Sequence, residues 1–553
     1  MRLFLVALLY LGVIALSFHH NLRTLSTDLI GPPEDNMQDL WNVWYSQQLH
    51  PLPVSDWFFT KLIFYPEGVS LLYHSFAYTD LFAIRIIRAA LGLPSTISTL
   101  VTFHNLMLLG SFFFSAMGMF LLAHRLTRNI PGSWLAGFIF AFSPFHFAHS
   151  LHHMHVSTIQ FIPFFVLCAL RFEKTEKWQF GIASAIFWTL SALSSWYYLV
   201  YNLLFLVFHY VCRSLQARKI ILKPLLLQWG IIASLSLVFL APLMVPMIIS
   251  GRNNPGTHLE GHDIFVADVA GLVFPHPYHL AAGWFSSIHN RLSGNPWEMS
   301  VYLGLFNGIL LIGALTLVRF RRNPLFLWCI GGMVAFTAIA AGRHLHVFGR
   351  VMRVPLPTAL FEHLPLLEMV RTPSRAIVYT YLFLGLAVGI VVADILRRDR
   401  RRRTSHNAIS WRRAIVFIAF AGVIIDFLSF SNDSTPVRCP AAYEFLAKTG
   451  KPGALLNLPM IYETGNRYMM YQLCQARPIV FATISRKINP TLSDRLESLS
   501  PQEKKDSLKK AGVSHVVVHR TLIDDRTPLD LTEYIQNYRL VFQDQEALVF
   551  EVE

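Results

Sequence analysis

Charge is what this sequence has least of. Only 14% of its 553 residues are Asp, Glu, Lys or Arg, while 54% are hydrophobic. A soluble domain carries about a quarter charged residues, so the composition excludes an ordinary soluble chain and indicates a polytopic membrane protein. The mean hydropathy of +0.43 agrees. Acidic residues are the scarcer kind, 33 against 47 basic, which leaves a net charge of +14. That excess does not mark a nucleic-acid binder. The Lys and Arg residues cluster in short segments between apolar runs, which is orientation chemistry rather than a binding stripe. Cysteine is also rare, with five residues and neither a CxxC nor a Cys/His zinc spacing. Cys168, Cys212 and Cys329 fall inside apolar runs as inert packing residues. Cys439 and Cys474 lie in a polar C-terminal part and can pair if it faces an oxidising compartment. No P-loop or Rossmann glycine pattern occurs, and no repeat or low-complexity segment.

What is abundant is apolar sequence. Runs long enough to cross a bilayer, about 17 to 25 residues, recur near 3–19, 99–122, 130–147, 156–172, 178–194, 196–213, 225–249, 300–318, 324–341, 376–396 and 412–430, eleven in all. The first resembles a signal peptide but lacks a small-x-small cleavage site before His19-His20, so it reads as an uncleaved helix. The stretch Gly181–Cys212 is too long for one crossing, and Ser194-Ser195-Trp196 in its middle predicts a turn. Basic residues at 125–128, 174–177, 213–219, 319–322 and 397–413 put one set of alternate loops in the cytoplasm. The other set, 20–98, 148–155, 251–299 and 343–375, then faces out, with the C-terminus on the same side. Residues 71–92 are amphipathic rather than spanning, because Asp80, Arg85 and Arg88 interrupt them.

After residue 430 the pattern changes. Short β-rich runs (ALLNLP, RPIVFA, SHVVVHR, RLVFQ and ALVFEV) alternate with helical stretches near 440–450, 463–475 and 498–511, and the last two runs read as a hairpin. The expected architecture is a mainly α, polytopic transmembrane domain over 1–430 and a small soluble α/β domain over 431–553.

Four places carry candidate chemistry. Residues 31–45 form the first outer loop and hold Glu34, Asp35 and Asp39 beside Trp41, Trp44 and Tyr45. Clustered carboxylates beside aromatic rings suit a general base, although surface carboxylates are usually only solvated. Residues 143–163 hold His146, His149, His152, His153 and His155. Such a patch suits ligand binding better than packing, and it matches no metal spacing. At 297–304, Trp297, Glu298 and Tyr302 offer a carboxylate and rings to sugar hydroxyls, or a plain helix N-terminal Glu. At 364–376, Arg371 and Arg375 lie four apart, suited to a phosphate or to snorkelling.

These segments in this order resemble the GT-C superfamily of membrane glycosyltransferases, in particular a bacterial branch with a trailing soluble domain. The first outer loop matches that pattern at Gly31, Asp35, Gln38, Trp41, Asn42 and Trp44, and the histidine segment at Ala148, His149, His153, Gln160 and Pro163. FPHPYH at 274–279, WEMSVYLG at 297–304 and the RTPSR at 371–375 are similar as well. The resemblance covers nearly the whole chain. It implies a polyprenyl-phosphate-linked sugar donor, inverting transfer on the outer face of a bacterial inner membrane, and Asp35 as the base. Asp39 stands where relatives often carry an apolar residue, which leaves Asp39 open as the base. Glu34, Trp41, Trp44, His149, His153, Gln160, Trp297, Glu298, Tyr302, Arg371 and Arg375 are then substrate contacts, with a glycan, lipid or protein as acceptor.

Two other readings compete. A flippase or transporter of lipid-linked glycans would place ionisable residues at mid-membrane, whereas most here crowd at the outer edge. A non-catalytic assembly factor fits everything except the acidic loop. No nucleotide is needed on the outer face, the residues single out no cofactor, and a divalent cation is compatible with them.

Overall fold

The computed structural model describes residues 1–50, 54–253, 263–363, 370–401, 411–449, 451–523 and 529–553. It divides into two compact units, one of Met1–Arg23, Met107–Leu240 and His258–Asn432, the other of Thr24–Leu106, Ala241–Thr257 and Asp433–Glu553.

The first unit is built around the helix Ile377–Arg401. Its sequence, IVYTYLFLGLAVGIVVA, is apolar on every face, and such a helix must be covered on every face. Every residue of its most apolar 18-residue stretch is indeed buried. The helices Ile130–Ala141, Leu305–Thr316, Pro324–Ala340 and Trp411–Phe427 pack against it. Gly385 and Gly389, four apart, face Gly132 and Ala136 on the helix Ile130–Ala141. A Cβ on Gly389 would come within 2.9 Å of the Gly132 carbonyl oxygen, and one on Gly385 within 2.8 Å of that of Ala136. Small residues at this spacing let two backbones approach closely, which is how helices associate in lipid. The helix Arg2–Ser17 is fixed by Tyr10, whose ring stacks on Trp134 at 5.4 Å and whose hydroxyl donates to the Trp134 carbonyl at 2.8 Å.

The chain is a multi-pass membrane protein. Among the described residues, five helices are long and apolar enough to cross a membrane: Ile97–Thr127, Met154–Thr175, Trp196–Ala217, Lys223–Ser250 and Pro373–Asp399. All eleven apolar runs contain helix, and the predicted turn falls at Ser195, between Trp178–Ser194 and Trp196–Ala217. The count of eleven crossings is not established, for a physical reason. Arg2–Ser17, Ile130–Ala141, Leu305–Thr316 and Pro324–Ala340 have only 10 to 17 residues, so the longest rises about 25 Å, short of a hydrocarbon core of about 30 Å. The run 130–147 is broken where Ser143 caps a new helix, Pro144–His152, through the His146 backbone N–H.

In the loop region of this unit, strands His344–Val347 and Arg350–Pro355 form an antiparallel hairpin. Phe348 and Gly349 make its two-residue turn with φ of 49° and 73°, as a tight hairpin turn requires. The buried Asp268 carboxylate accepts from the backbone N–H groups of Phe348 at 3.0 Å, Gly349 at 2.7 Å and Ala270 at 2.9 Å. One side chain thus ties the hairpin to the 263–299 segment.

The second unit contains the β-rich runs and helices expected near the C-terminus, with the strands arranged as a mixed sheet. Ala454–Leu458 runs parallel to Val513–His519, and Ala547–Glu551 lies antiparallel between that strand and Arg539–Gln543. The expected hairpin and the helices Ala441–Lys448, Tyr462–Gln475 and Pro501–Lys510 are present. Residues 477–482, expected as a strand, make only an isolated bridge from Ile479 to Leu455. Pro478 has no N–H to continue a ladder, and Ile479 instead donates to the Leu62 carbonyl at 2.9 Å and accepts from the Tyr65 N–H at 3.0 Å. Cys439 and Cys474 form a disulfide, with Cα atoms 5.7 Å apart. The amphipathic stretch is the helix Tyr78–Ala90, with Leu81 and Ile84 buried and Ile86 66% exposed.

The glycine contact makes a stability prediction. Gly389→Leu forces the two backbones apart and should cost about 1–3 kcal/mol, as overpacked cores do. Gly308, with nothing within 4 Å of its built Cβ, is the control. Thermal unfolding in detergent should fall for Gly389→Leu and hold for Gly308→Leu; equal effects would refute a packing role for the pair.

Candidate active site

In the second unit, residues expected as a loop begin a helix. Asp35–Gln48 is helical, with Glu34 at the N-cap. Pro32 and Pro33 end the preceding strand. Asp35 then occupies the first helical position, where a carboxylate complements the helix dipole. Met37, Leu40 and Trp41 supply the apolar face. Asp39 follows Asp35 by one turn, so both carboxylates share a side of the helix, but their settings differ. Asp39 is 5% exposed, Asp35 is half-buried and Glu34 is exposed.

The helix Tyr462–Gln475 holds this carboxylate helix in place. Asn466 donates to Asp35 Oδ1 at 3.1 Å and accepts from Gln38 Nε2 at 3.1 Å. Gln38 also donates to the Thr483 carbonyl at 2.7 Å. The buried Trp41 indole donates to Gln472 Oε1 at 2.8 Å and stacks on Tyr45 at 4.8 Å, while Trp44 remains half-buried. His74 bonds Asn42 Oδ1 at 2.8 Å. Burial lowers its pKa to about 4 despite the nearby Asp35 charge, so the imidazole is neutral. Asn466, Gln472, Thr483 and His74 were not singled out in the sequence. They lie far from Asp35 along the chain, and no motif joins them.

In the first unit, a buried ion pair brings together two of the sequence candidates. Glu298, 2% exposed, accepts from Arg375 Nε at 3.0 Å and from a terminal guanidinium nitrogen at 2.9 Å. It also accepts from the Ser374 hydroxyl at 2.5 Å. The Arg375 guanidinium lies 4.7 Å over the Tyr197 ring, a cation–π contact. His149 places Nε2 3.7 Å from Glu298 and Nδ1 3.3 Å from His153 Nδ1. Burial first, then the neighbouring His153 and Arg375, hold His149 well below its ordinary pKa, so it faces the carboxylate as a neutral imidazole. Trp297 lies tilted against His152 at 4.3 Å and meets His153 edge-on at 5.7 Å, and His152 bonds the Tyr278 hydroxyl at 2.7 Å.

Other candidates make no hydrogen bond to this pair among the described residues. Tyr302 donates to Asp426 Oδ1 at 3.0 Å and accepts from the Leu305 N–H, an arrangement that secures the start of the helix Leu305–Thr316. Gln160 stands at the N-cap position of the helix Phe161–Thr175 without a capping side-chain bond, and its Oε1 is buried with no partner among the described residues. Arg371 is half-buried, and among the described residues no hydrogen bond or ion pair engages it. The rest of the LPLLEM segment, 364–369, lies outside the described residues. No group of three His, Cys, Asp or Glu among the described residues is arranged to hold a metal ion. Ser374 and Tyr197 were missed from the sequence, although Ser374 sits inside the RTPSR motif.

The two arginines should therefore behave differently. Arg375→Ala strands the buried Glu298 charge, and breaking one half of such a pair costs about 3–5 kcal/mol. Arg371→Ala breaks no hydrogen bond or ion pair among the described residues and should stay within about 0.5 kcal/mol of the parent. Thermal unfolding of the purified variants reads the contrast, and equal losses would contradict it.

Comparison with known proteins accords with this architecture. No curated protein matches the chain. An oligosaccharyltransferase, AglB from Archaeoglobus fulgidus, solved with an inhibitory peptide and a dolichol-phosphate, superposes with a TM-score of 0.51 at 12% identity over 94% of this chain and 69% of its own. The arabinofuranosyltransferase AftD from Mycobacteria superposes with a TM-score of 0.50 at 13% identity over 99% of this chain, which spans 41% of that protein's length. At this identity the likeness shows a shared fold with these two enzymes. The family described as Domain of unknown function (DUF6311) matches residues 5–421, three quarters of the sequence, and the chain belongs to that family.

Proposed function

We propose that the chain is an integral-membrane glycosyltransferase that moves a sugar, with inversion, from a polyprenyl-phosphate-linked donor to an acceptor hydroxyl. Its fold, shared with an oligosaccharyltransferase bound to dolichol-phosphate and with an arabinofuranosyltransferase, supports that class. The observation that carries the reading is the setting of Asp35. Its carboxylate stands at a helix N-terminus, half-buried rather than sealed, and is oriented by Asn466 through a network that includes Gln38. A hydroxyl is a poor nucleophile without a base, and a base works from a fixed position that substrate can reach. Asp39, 5% exposed, is less accessible and serves to support that position.

The remaining roles follow from which groups the protein leaves available. The acceptor hydroxyl attacks the anomeric carbon opposite the phosphate and passes its proton to Asp35. The leaving group is already a phosphate ester and needs positive charge rather than a proton. Within the first unit, Arg371 is the guanidinium suited to a lipid phosphate, whereas Arg375 is committed to Glu298 and Tyr197. Trp297 and His153 offer ring faces and edges to a sugar. The membrane is a bacterial inner membrane, with the N-terminus cytoplasmic and 431–553 outside. The basic segments between helices and the Cys439–Cys474 disulfide, a bond of oxidising compartments, support this orientation.

Asp35→Asn keeps size and hydrogen bonding but cannot take the proton. It should fold normally and lose about 10²- to 10⁴-fold in transfer, while Asp39→Asn loses far less. The opposite ranking moves the base to Asp39, and full activity in both singles and the double variant ends the reading. Arg371→Ala should weaken use of the lipid-phosphate donor about ten- to a hundredfold. Reporter fusions at residues 400 and 553 should report opposite sides of the membrane; both in the cytoplasm would overturn the topology.

A further inference from the structure

The hairpin starts at His344, four residues after the apolar helix Pro324–Ala340 ends. Chain continuity therefore keeps it within a few residues of an apolar helix. Its first strand is anchored, since His346 is 2% exposed and its Nδ1 meets the Ser293 hydroxyl at 2.8 Å. The Asp268 carboxylate clamps its turn. Its second strand, Arg350–Pro355, is exposed at every residue. Phe348 is 43% exposed, Val351 54%, Met352 47% and Val354 50%. Arg350 and Arg353 are interleaved with these apolar side chains, and among the described residues neither guanidinium has a hydrogen-bond or ion-pair partner. The Phe348 ring continues through Phe274 at 5.9 Å to Phe285 at a further 5.9 Å, next to Trp284, which is 87% exposed.

A rigidly mounted strand that shows aliphatic side chains and unpaired arginines to water is an edge-pairing hazard. At the headgroup level the same pattern is satisfied, because apolar side chains and aromatic rings enter the acyl boundary while arginines reach lipid phosphates. We propose that residues 348–354 dock into the headgroup layer of the bilayer, with Arg350 and Arg353 on lipid phosphates. Through Asp268, this contact sets the depth of the 263–299 segment that carries Trp297 and Glu298. The proposal does not depend on the glycosyltransferase reading.

The test uses the full-length chain with Cys168→Ala, Cys212→Ala and Cys329→Ala, its disulfide intact, reconstituted in vesicles of phosphatidylethanolamine and phosphatidylglycerol. A nitroxide is attached at Met352→Cys or, as the aqueous reference, at Gln502→Cys on the exposed helix Pro501–Lys510. Power saturation against oxygen and a water-soluble nickel chelate reads depth. The label at 352 should favour oxygen several-fold over the nickel chelate, and the label at 502 should show the reverse. Adding Arg350→Gln and Arg353→Gln should raise nickel access at 352. Nickel access at 352 equal to that at 502 would make the hairpin a solvent-exposed finger and overturn the proposal. Shielding from both reagents would do so by indicating a second protein chain over the strand, and an unchanged reading in the Gln variants would overturn the lipid-phosphate role of the arginines.

Discussion

The buried pair of Glu298 and Arg375 is the constraint on which the first unit depends. A carboxylate and a guanidinium out of water are each costly, and they are tolerated together only with close geometry and every remaining bond made. Here the bonds are made by two guanidinium nitrogens, the Ser374 hydroxyl and the face of Tyr197. Arg375 stands immediately before the central helix Ile377–Arg401, and Glu298 ends the long segment between apolar helices. The pair therefore fixes where that segment meets the helix. The neutral His149 and the rings of His153 and Trp297 are assembled beside it.

Burying the central helix poses a different physical problem. In lipid the hydrophobic effect gives no preference for one helix surface over another, so close packing must decide which helices meet. Gly385 and Gly389 let the backbone of Ile130–Ala141 approach to contact distance. A spacing of four is visible in the sequence, but the partner, Gly132 and Ala136, is not.

The second unit is held by amide side chains. Gln38, Gln472 and Asn466 each satisfy two or more groups from segments about 400 residues apart in the chain. Buried amides of this kind require every donor and acceptor to be met, so they lock the register between the carboxylate helix and the helix Tyr462–Gln475. Nothing local to Asp35 announces this. A Gln or Asn in a helix reads as an ordinary surface residue until the opposing element is known.

The sequence by itself determined what rests on composition and local period. The shortage of charge marked a membrane protein, apolar runs located the helices, proline and serine broke them, and alternating β-rich runs located most of a mixed sheet. The order of the acidic, histidine, WEMSVYLG and RTPSR segments pointed to a fold that the chain shares with two solved glycosyltransferases. Tertiary structure alone decided the tasks of the side chains within those motifs. Arg371 and Arg375 look equivalent at a spacing of four, yet one is bound to Glu298 and the other is unengaged among the described residues. Tyr302 and Glu298 are neighbours in one motif, yet Tyr302 turns to Asp426. Asp35 and Asp39 share a helix face but not an exposure. The reason is common to all three pairs: a polar side chain's role is set by the partner it meets after burial, and that partner comes from a distant part of the chain.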